Sequence, residues 1–496
     1  MWLSLLYSAF MIDYISLSRK RNYKILYIAL LAVSLAALIS CEEENSGETS
    51  IVLTGKIINP KADFIVLRNY SGVRDTIKLN KKGVFLKEYE SITPGLYTFA
   101  HPSEYQSIYI GYGDTLRLRL NTKAFDESLA FTGAAAKENN YLINLFLEIE
   151  KTNRNLMSEY HREPSDFKKM IDELTAKRIK SLKKTAKKNG FQTNFVENTE
   201  KIIRFSSWST LERYAFTHYG KGDILKSDVL PSNFYSYRQH LEICDTKLLN
   251  NYAYRPYVTS LVSNVALYNC ARKHGSGEAV DRHGYEYRKE KLHVIDSLFT
   301  NEELKGLFAG IETRNFIRSR KNAGEINDLV AEFLEISQDE QLNNQITKIA
   351  ATYINLDPGN KLPDFKIYDD HKNITQLSSN INGLSVLFYW SNKNESYALR
   401  VHRKVNELRY KYPEIKFIGI NLDNPESDAW KDAREQFGFN MATEFQLVNS
   451  QSISKQLALR NDNRSMVIAP GLTILDPNIN LFHYKIETTL LGYLSR

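Results

Sequence analysis

The chain has 496 residues, with 65 Lys and Arg against 58 Asp and Glu, a formal net charge of +7, and only three cysteines. Discounting a cleavable leader over residues 1–40 leaves about +4, too dilute a charge for a nucleic-acid surface. Cys244 and Cys270 are the only cysteines beyond Cys41, which excludes a disulfide-stapled scaffold and leaves one disulfide or two free buried thiols, the latter the simpler account.

In chain order, "RKRNYK" (19–24) precedes the apolar run "ILYIALLAVSLAALIS" (25–40), a positive n-region followed by an apolar h-region. This predicts a signal peptide over 1–40, with Met11 an alternative start. The run is marginal for an uncleaved membrane span. It ends in "LISC", Leu38 to Cys41, which resembles a bacterial lipobox and implies that Cys41 becomes the lipidated first residue. Residues 41–50, "CEEENSGETS", then form an acidic flexible tether. Glu42 to Glu44 resemble the acidic signal that some Bacteroidetes lipoproteins carry for surface display. The expected location is the cell envelope, lipid-anchored in the outer membrane, with the periplasmic face and the cell surface both open.

Residues 51–135 alternate in short bursts such as "SIVLTGKII", "FIVLRNY", "GVFLKEYE" and "DTLRLRL", punctuated by "NPKAD", "NKKG", "TPG" and "YGD". That rhythm predicts an antiparallel β-sandwich or barrel-like domain. The words "LTGKI", "PGLYTF" and "FTGAAAKENNYL" resemble the N-terminal β-domain of unknown function that precedes thioredoxin-like domains in Bacteroidetes lipoproteins. No catalytic set occurs in it, and a spacer or docking module is expected.

Residues 136–352 change to helical periodicity, enough for eight or nine helices. The basic stretch 168–190 keeps Met170, Ile171, Leu174 and Ile179 at helical spacing, so it reads as a solvated helix face rather than a nucleic-acid arm. Cys270, His274, His283 and His293 are the richest group of potential ligands, but a glycine-rich loop interrupts them and no metal site is expected. No cofactor is called for. Residues 353–363, with Pro358, Gly359 and Pro363, form a linker.

From 364 to 496 the rhythm becomes βα. A short hairpin "FKIYDDHKNITQL" leads to the buried strand "LSVLFYW", a helix at about 395–411, the strand "IKFIGINLD" and a helix at about 427–437. Then come "FQLV", a short helix near "SISKQLAL", the strand "LTILD", a partner strand "LFHYKI" and a small terminal helix. This alternation specifies an α/β sheet covered on both faces. The chain as a whole is therefore expected to be multidomain α+β.

"NKLPDF" (360–365), "GLSVLFYW" (383–390), "FIGINLD" (417–423) and "APGLTILD" (469–476) resemble, in order and spacing, four landmarks of the periplasmic thioredoxin-like family, which includes disulfide reductases and peroxiredoxin-related proteins. The resemblance implies a thioredoxin fold. Aligning Trp390 with the family's tryptophan at the strand end puts Asn394 on the attacking cysteine and Tyr397 on the resolving one. Disulfide exchange and peroxide reduction both begin with a low-pKa thiolate at this helix start, and neither residue supplies one. Asn394 is instead suited to cap the helix. The family's proline loop implies a cis bond at Ala469-Pro470 and a groove where Trp390, Asn394, Tyr397, Ala469 and Pro470 converge, binding an extended peptide by strand addition. Ser391 and Ser396 lack a visible base, and His402 is expected on the helix surface. Two readings follow: a redox-inactive thioredoxin-like lipoprotein that binds a protein or peptide partner, or a thiol-disulfide oxidoreductase acting through Cys244 and Cys270 or a partner's thiols.

Overall fold

A computed structural model describes residues 49–102, 104–113, 115–219, 230–274, 280–319, 322–425, 429–459 and 464–495. The expected signal peptide, Cys41 and most of the tether lie outside these residues. Two compact units emerge, one of residues up to 150 plus 184–198, the other of 151–183 plus 199–496. Among the described residues, no helix is long and apolar enough to cross a membrane.

Among the described residues the first unit has eight strands: β1 (Thr49–Ile58), β2 (Phe64–Arg68), β3 (Arg74–Lys78), β4 (Val84–Ile92), β5 (Gly95–His101), β6 (Glu104–Ile110), β7 (Thr115–Asn121) and β8 (Ala130–Gly133), with the single turn α1 (Phe125–Ser128) before the last. They form two four-stranded sheets, β4-β1-β7-β8 and β3-β2-β5-β6. The period of two is plain in β7, where Leu116, Leu118 and Leu120 are buried while Arg117 and Arg119 face out. Leu53, Ile65, Phe85, Phe99 and Ile108 join them in one core. The expected all-antiparallel arrangement needs one correction: β1 and β7 run parallel, from Val52 opposite Thr115 to Ile58 opposite Asn121. Between them the chain builds β4 of the same sheet and the four strands of the other sheet before it returns, and such a crossover can bring a strand back in its original direction.

Helix α2 (Ala136–Asn155) closes this unit, burying Ile143 in the same core. Two consecutive asparagines on it act as substitute strand residues. Asn139 accepts from the Tyr109 N–H (2.8 Å) and donates to the Tyr109 carbonyl (2.7 Å). Asn140 does the same for Phe131, at 3.0 and 2.9 Å. Tyr109 and Phe131 belong to β6 and β8, each the last strand of its sheet.

The remaining helices of the middle region are α3 (Pro164–Asn189), α4 (Thr193–His218), α5 (Tyr254–His274), α6 (Tyr285–Leu298), α7 (Glu302–Arg318), α8 (Ala323–Ile336) and α9 (Glu340–Ile354). The last three start at side-chain caps, Asn301, Asn322 and Asp339, each accepting a backbone N–H of the first turn. The second unit has a densely aromatic interior in which Phe167, Tyr214 and Phe234 pack together.

The C-terminal part of the second unit is a seven-stranded sheet in the order β10-β9-β13-β12-β11-β14-β15. Its strands are β9 (Lys366–Tyr368), β10 (Ile374–Gln376), β11 (Ser385–Trp390), β12 (Lys416–Asn421), β13 (Glu444–Leu447), β14 (Ser465–Ala469) and β15 (Thr473–Ile479). Its helices are α10 (Glu395–Lys411), α11 (Ala429–Phe437), α12 (Ser450–Gln456) and α13 (Ile486–Leu494). All six residues of β11 are buried, as a central strand covered on both faces requires. Val386, Phe388 and Trp390 face one core with α10, α11 and α13. Leu387 and Tyr389 face the other, shared with Leu356 and Leu362 of the linker. The expected strand "LFHYKI" is instead a turn leading into α13, and the antiparallel partner of β15 is β14.

Candidate functional site

The junction of β11 and α10 is held by one carboxylate. Asp423, just beyond β12, accepts from Ser391 Oγ (2.5 Å), the Asn392 N–H (2.7 Å) and Asn421 Nδ2 (3.1 Å). Ser391 is thus engaged by an acceptor carboxylate, not activated by a histidine. From Lys393 to Ser396 the turn is exposed. Asn394 caps α10, its Oδ1 accepting the Tyr397 N–H at 3.3 Å. Tyr397 is buried, 4% exposed, with its ring 6.2 Å from that of the half-exposed Phe482. The position expected for a nucleophile therefore carries an amide that satisfies the helix start, and the position expected for a resolving thiol carries an aromatic side chain in the core.

Beneath this turn lies a buried polar cluster. Trp390 Nε1 donates to Glu444 Oε2 at 2.9 Å, and both side chains are shut off from solvent. Glu444 Oε1 lies 3.3 Å from His402 Nε2, close enough for an ion pair though poorly aligned for a hydrogen bond. His402 is 5% exposed, so the expected surface position is corrected. Ala398, Val401, His402, Val405 and Leu408 form the buried stripe of α10, and a histidine one turn beyond Ala398 must face the sheet. Its ring stacks on Phe439 with centroids 3.5 Å apart and meets the edge of Trp390 at 5.1 Å. Room for Glu444 comes from Gly419, its register partner on β12, where any Cβ would collide with the carboxyl group. Arg434 of α11 is also buried, with its guanidinium 3.9 Å from the centre of the Trp430 ring.

The expected groove is not assembled. β14 pairs antiparallel with β11, Ser385 opposite Ile468 and Phe388 opposite Ser465. Ala469 and Pro470 therefore lie by the start of β11, whereas Trp390 and Asn394 lie at its end. The five steps from Ser385 to Trp390 span about 17 Å at ~3.3–3.4 Å each. Pro470 instead opens the turn between β14 and β15, followed by Gly471 at φ 69° and Leu472 at φ 60°. The linker covers this edge with its own backbone: Gly359 N–H donates to the Ile474 carbonyl (2.8 Å) and Leu362 N–H to the Leu472 carbonyl (2.8 Å). Trp390, Asn394 and Tyr397 remain together at the β11–α10 junction.

Cys244 and Cys270 are both free. Burial, with Glu290 beside it, pushes the Cys270 thiol up to about 11, which keeps it protonated and unreactive near neutral pH. Cys244 donates its thiol to the Leu298 carbonyl at 3.6 Å. Of the histidines considered as ligands, His293 lies 3.4 Å from Glu332 and His283 is exposed in a loop.

Sequence reasoning missed Glu444 and Arg434, since charged residues are expected in solvent. The available signal was Gly419, a glycine inside an otherwise bulky buried strand, which marks a close approach.

Residues 358–483 match the AhpC/TSA family model. A thioredoxin-like protein from Bacteroides caccae is 13% identical, over 55% of this chain and 92% of its own, with a TM-score of 0.34. The thioredoxin domain of a thiol-disulfide oxidoreductase from Bacteroides vulgatus is 16% identical, over 28% of this chain and 98% of its own, with a TM-score of 0.23. No curated protein matches the chain. The family match bears on the C-terminal domain alone and supports a thioredoxin-like fold there.

Proposed function

We propose that the chain is an envelope lipoprotein, held to the membrane by a lipid on Cys41, whose thioredoxin-like domain is redox-inactive and binds a protein or peptide partner. The observation that carries this reading is the capping bond of Asn394 at the start of α10. The helix N-terminus that would stabilise a thiolate is occupied by an amide oxygen that cannot attack sulfur. The partner face in this reading is the exposed turn 393–396 with Phe482 beside it. Ala469 and Pro470 are left out of it, because they sit at the opposite end of β11 on an edge the linker has already paired. Fold alone does not supply an activity when the reacting groups are missing.

The alternative through Cys244 and Cys270 is disfavoured by the buried, protonated thiol of Cys270. Insulin reduction by the purified mature chain with dithiothreitol separates the two readings. The expected rate equals that of dithiothreitol alone. Turnover at a thioredoxin-like rate that vanishes in Cys244→Ser or Cys270→Ser would overturn the redox-inactive reading.

A further inference from the structure

The turn that leads into α13 presents two aromatic side chains to solvent. Leu481 and Ile486 point into the core, while Phe482 is 48% exposed and Tyr484 is 83% exposed. The turn is held by its own bonds. The Phe482 N–H donates to Asn480 Oδ1 (3.0 Å) and the Lys485 N–H to His483 Nδ1 (3.2 Å). The His483 and Ile486 N–H groups donate to the Asn480 and His483 carbonyls, at 3.1 and 3.0 Å. These main-chain donors are satisfied within the turn, so what it offers outward is side chains.

Each exposed ring has a cation beside it. The guanidinium of Arg400, three residues beyond Tyr397 on α10, lies 5.9 Å from the centre of the Phe482 ring, and Lys485 Nζ lies 5.5 Å from that of Tyr484. Lys393 just before α10 and Arg403 one turn beyond Arg400 are exposed as well. Among the described residues, none of these four cations has a carboxylate within ion-pair distance. Farther along α10 the pattern reverses: Lys404 meets Glu407 at 3.4 Å and Lys411 meets Glu487 at 2.7 Å. Within 393–403 and 480–486 the one carboxylate is Glu395. Four cations against one carboxylate, around two bare rings, leave a surface whose charge and apolar area both lack a complement.

We propose that Phe482, Tyr484, Arg400 and Lys485 form a docking surface for an acidic segment of a partner protein. An apolar side chain of that segment lies on the two rings, and flanking carboxylates pair with the two cations. Tyrosine and arginine are the residue types that carry most of the energy of such contacts. An anionic lipid surface matches less well, because it asks the rings to enter it, and Phe482 is held from one side by Tyr397 with ring centres 6.2 Å apart. The proposal rests on the reading that this domain binds a protein partner, and it names the chemistry of that partner.

The test is fluorescence anisotropy of short labelled peptides titrated with the purified mature chain: a phenylalanine flanked by glutamates, the same phenylalanine flanked by lysines, and an alanine flanked by glutamates. The first should bind about tenfold tighter than either of the others, and more weakly as salt rises. Tyr484→Ser, at the more exposed ring, should weaken it about tenfold. Arg400→Glu combined with Lys485→Glu, both at exposed positions, should reverse the preference, so that the lysine peptide becomes the tighter ligand. Affinity indifferent to peptide charge, or a reversed variant that keeps the parent's preference, would overturn the proposal. Phosphatidylglycerol vesicles that bind the parent and not the reversed variant, with no acidic peptide bound, would overturn it in favour of lipid. Capture of envelope proteins unchanged in the reversed variant would overturn this surface while partner binding stands. Insulin turnover by the parent would instead overturn the redox-inactive reading and leave the peptide preference as measured.

Discussion

Gly419→Ala is the sharpest perturbation of the buried cluster. A methyl group at this position would overlap Oε1, Oε2 and Cδ of Glu444, and β12 cannot retreat because it pairs with β11 and β13 on its two sides. Glu444 must therefore leave its place. The loss includes its bond from the Trp390 indole, worth about 1.5–3 kcal/mol for a charged acceptor, and an unsatisfied buried N–H adds about 1–3 kcal/mol. We expect Gly419→Ala to destabilise the C-terminal domain by about 3–5 kcal/mol. The same substitution added to Glu444→Ala no longer meets the carboxyl group and should cost about 1 kcal/mol, giving a coupling of about 2–4 kcal/mol between the two positions. Urea unfolding of the four proteins, read by tryptophan fluorescence and by amide hydrogen exchange of β11 to β13, measures the cycle. Equal costs for Gly419→Ala in both backgrounds would refute the claim that this glycine exists to seat Glu444.

Asn394→Ala should lower stability by about 1 kcal/mol through loss of the α10 cap, with Asn394→Asp close to the parent; thermal denaturation decides, and an unchanged midpoint for the alanine variant would count against the cap. Cys41→Ser should leave the protein unprocessed or move it from the membrane to the soluble fraction, since the multiple acyl chains expected on Cys41 hold firmly at ~0.8 kcal/mol per buried methylene; normal processing and unchanged fractionation would remove the lipid from the account. Cys270 gives a pH signature. Its folded value of about 11 stands above the ordinary 9.0, so the unfolded chain loses this proton first. The associated stability is complete below about pH 9 and fades as pH rises toward about 11. Cys270→Ser should flatten that part of the stability curve, and an identical alkaline slope in the variant would refute the assignment.

The legible parts of the sequence were those governed by local pattern. The apolar run 385–390, the helix 395–411 and the cap at Asn394 follow from burial periodicity and first-turn chemistry. What failed depended on partners distant in the chain. "APGLTILD" matches the expected proline landmark in spacing, yet the strand lying against β11 is the preceding "SMVIA", so the proline falls at the far turn. Nothing local tells the end of one strand from the start of the next when both are apolar. The helix position of His402 suggests a surface site; only the partner carboxylate on β13, some forty residues later, makes its burial tolerable. The parallel pairing of β1 with β7 was hidden for a related reason, since alternation sets which face a side chain takes and leaves strand direction open.

The two asparagines at the start of α2 bear on how copies of this protein behave in a crowd. A sheet edge with free N–H and C=O groups is a template for any extended strand that drifts past, including the same strand of a neighbouring molecule. Asn139 and Asn140 occupy part of that template on β6 and β8. The opposite edges, β3 and β4, carry Arg74, Asp75 and Lys78, and Lys87, Glu88 and Glu90, charges that resist dry edge-to-edge stacking. Among the described strands all four sheet edges are thus guarded, two by side chains posing as backbone and two by charge. Molecules concentrated side by side on a surface would then be less able to zip into fibrils, and replacing both asparagines with leucine would remove these side-chain bonds and open two edges to aggregation.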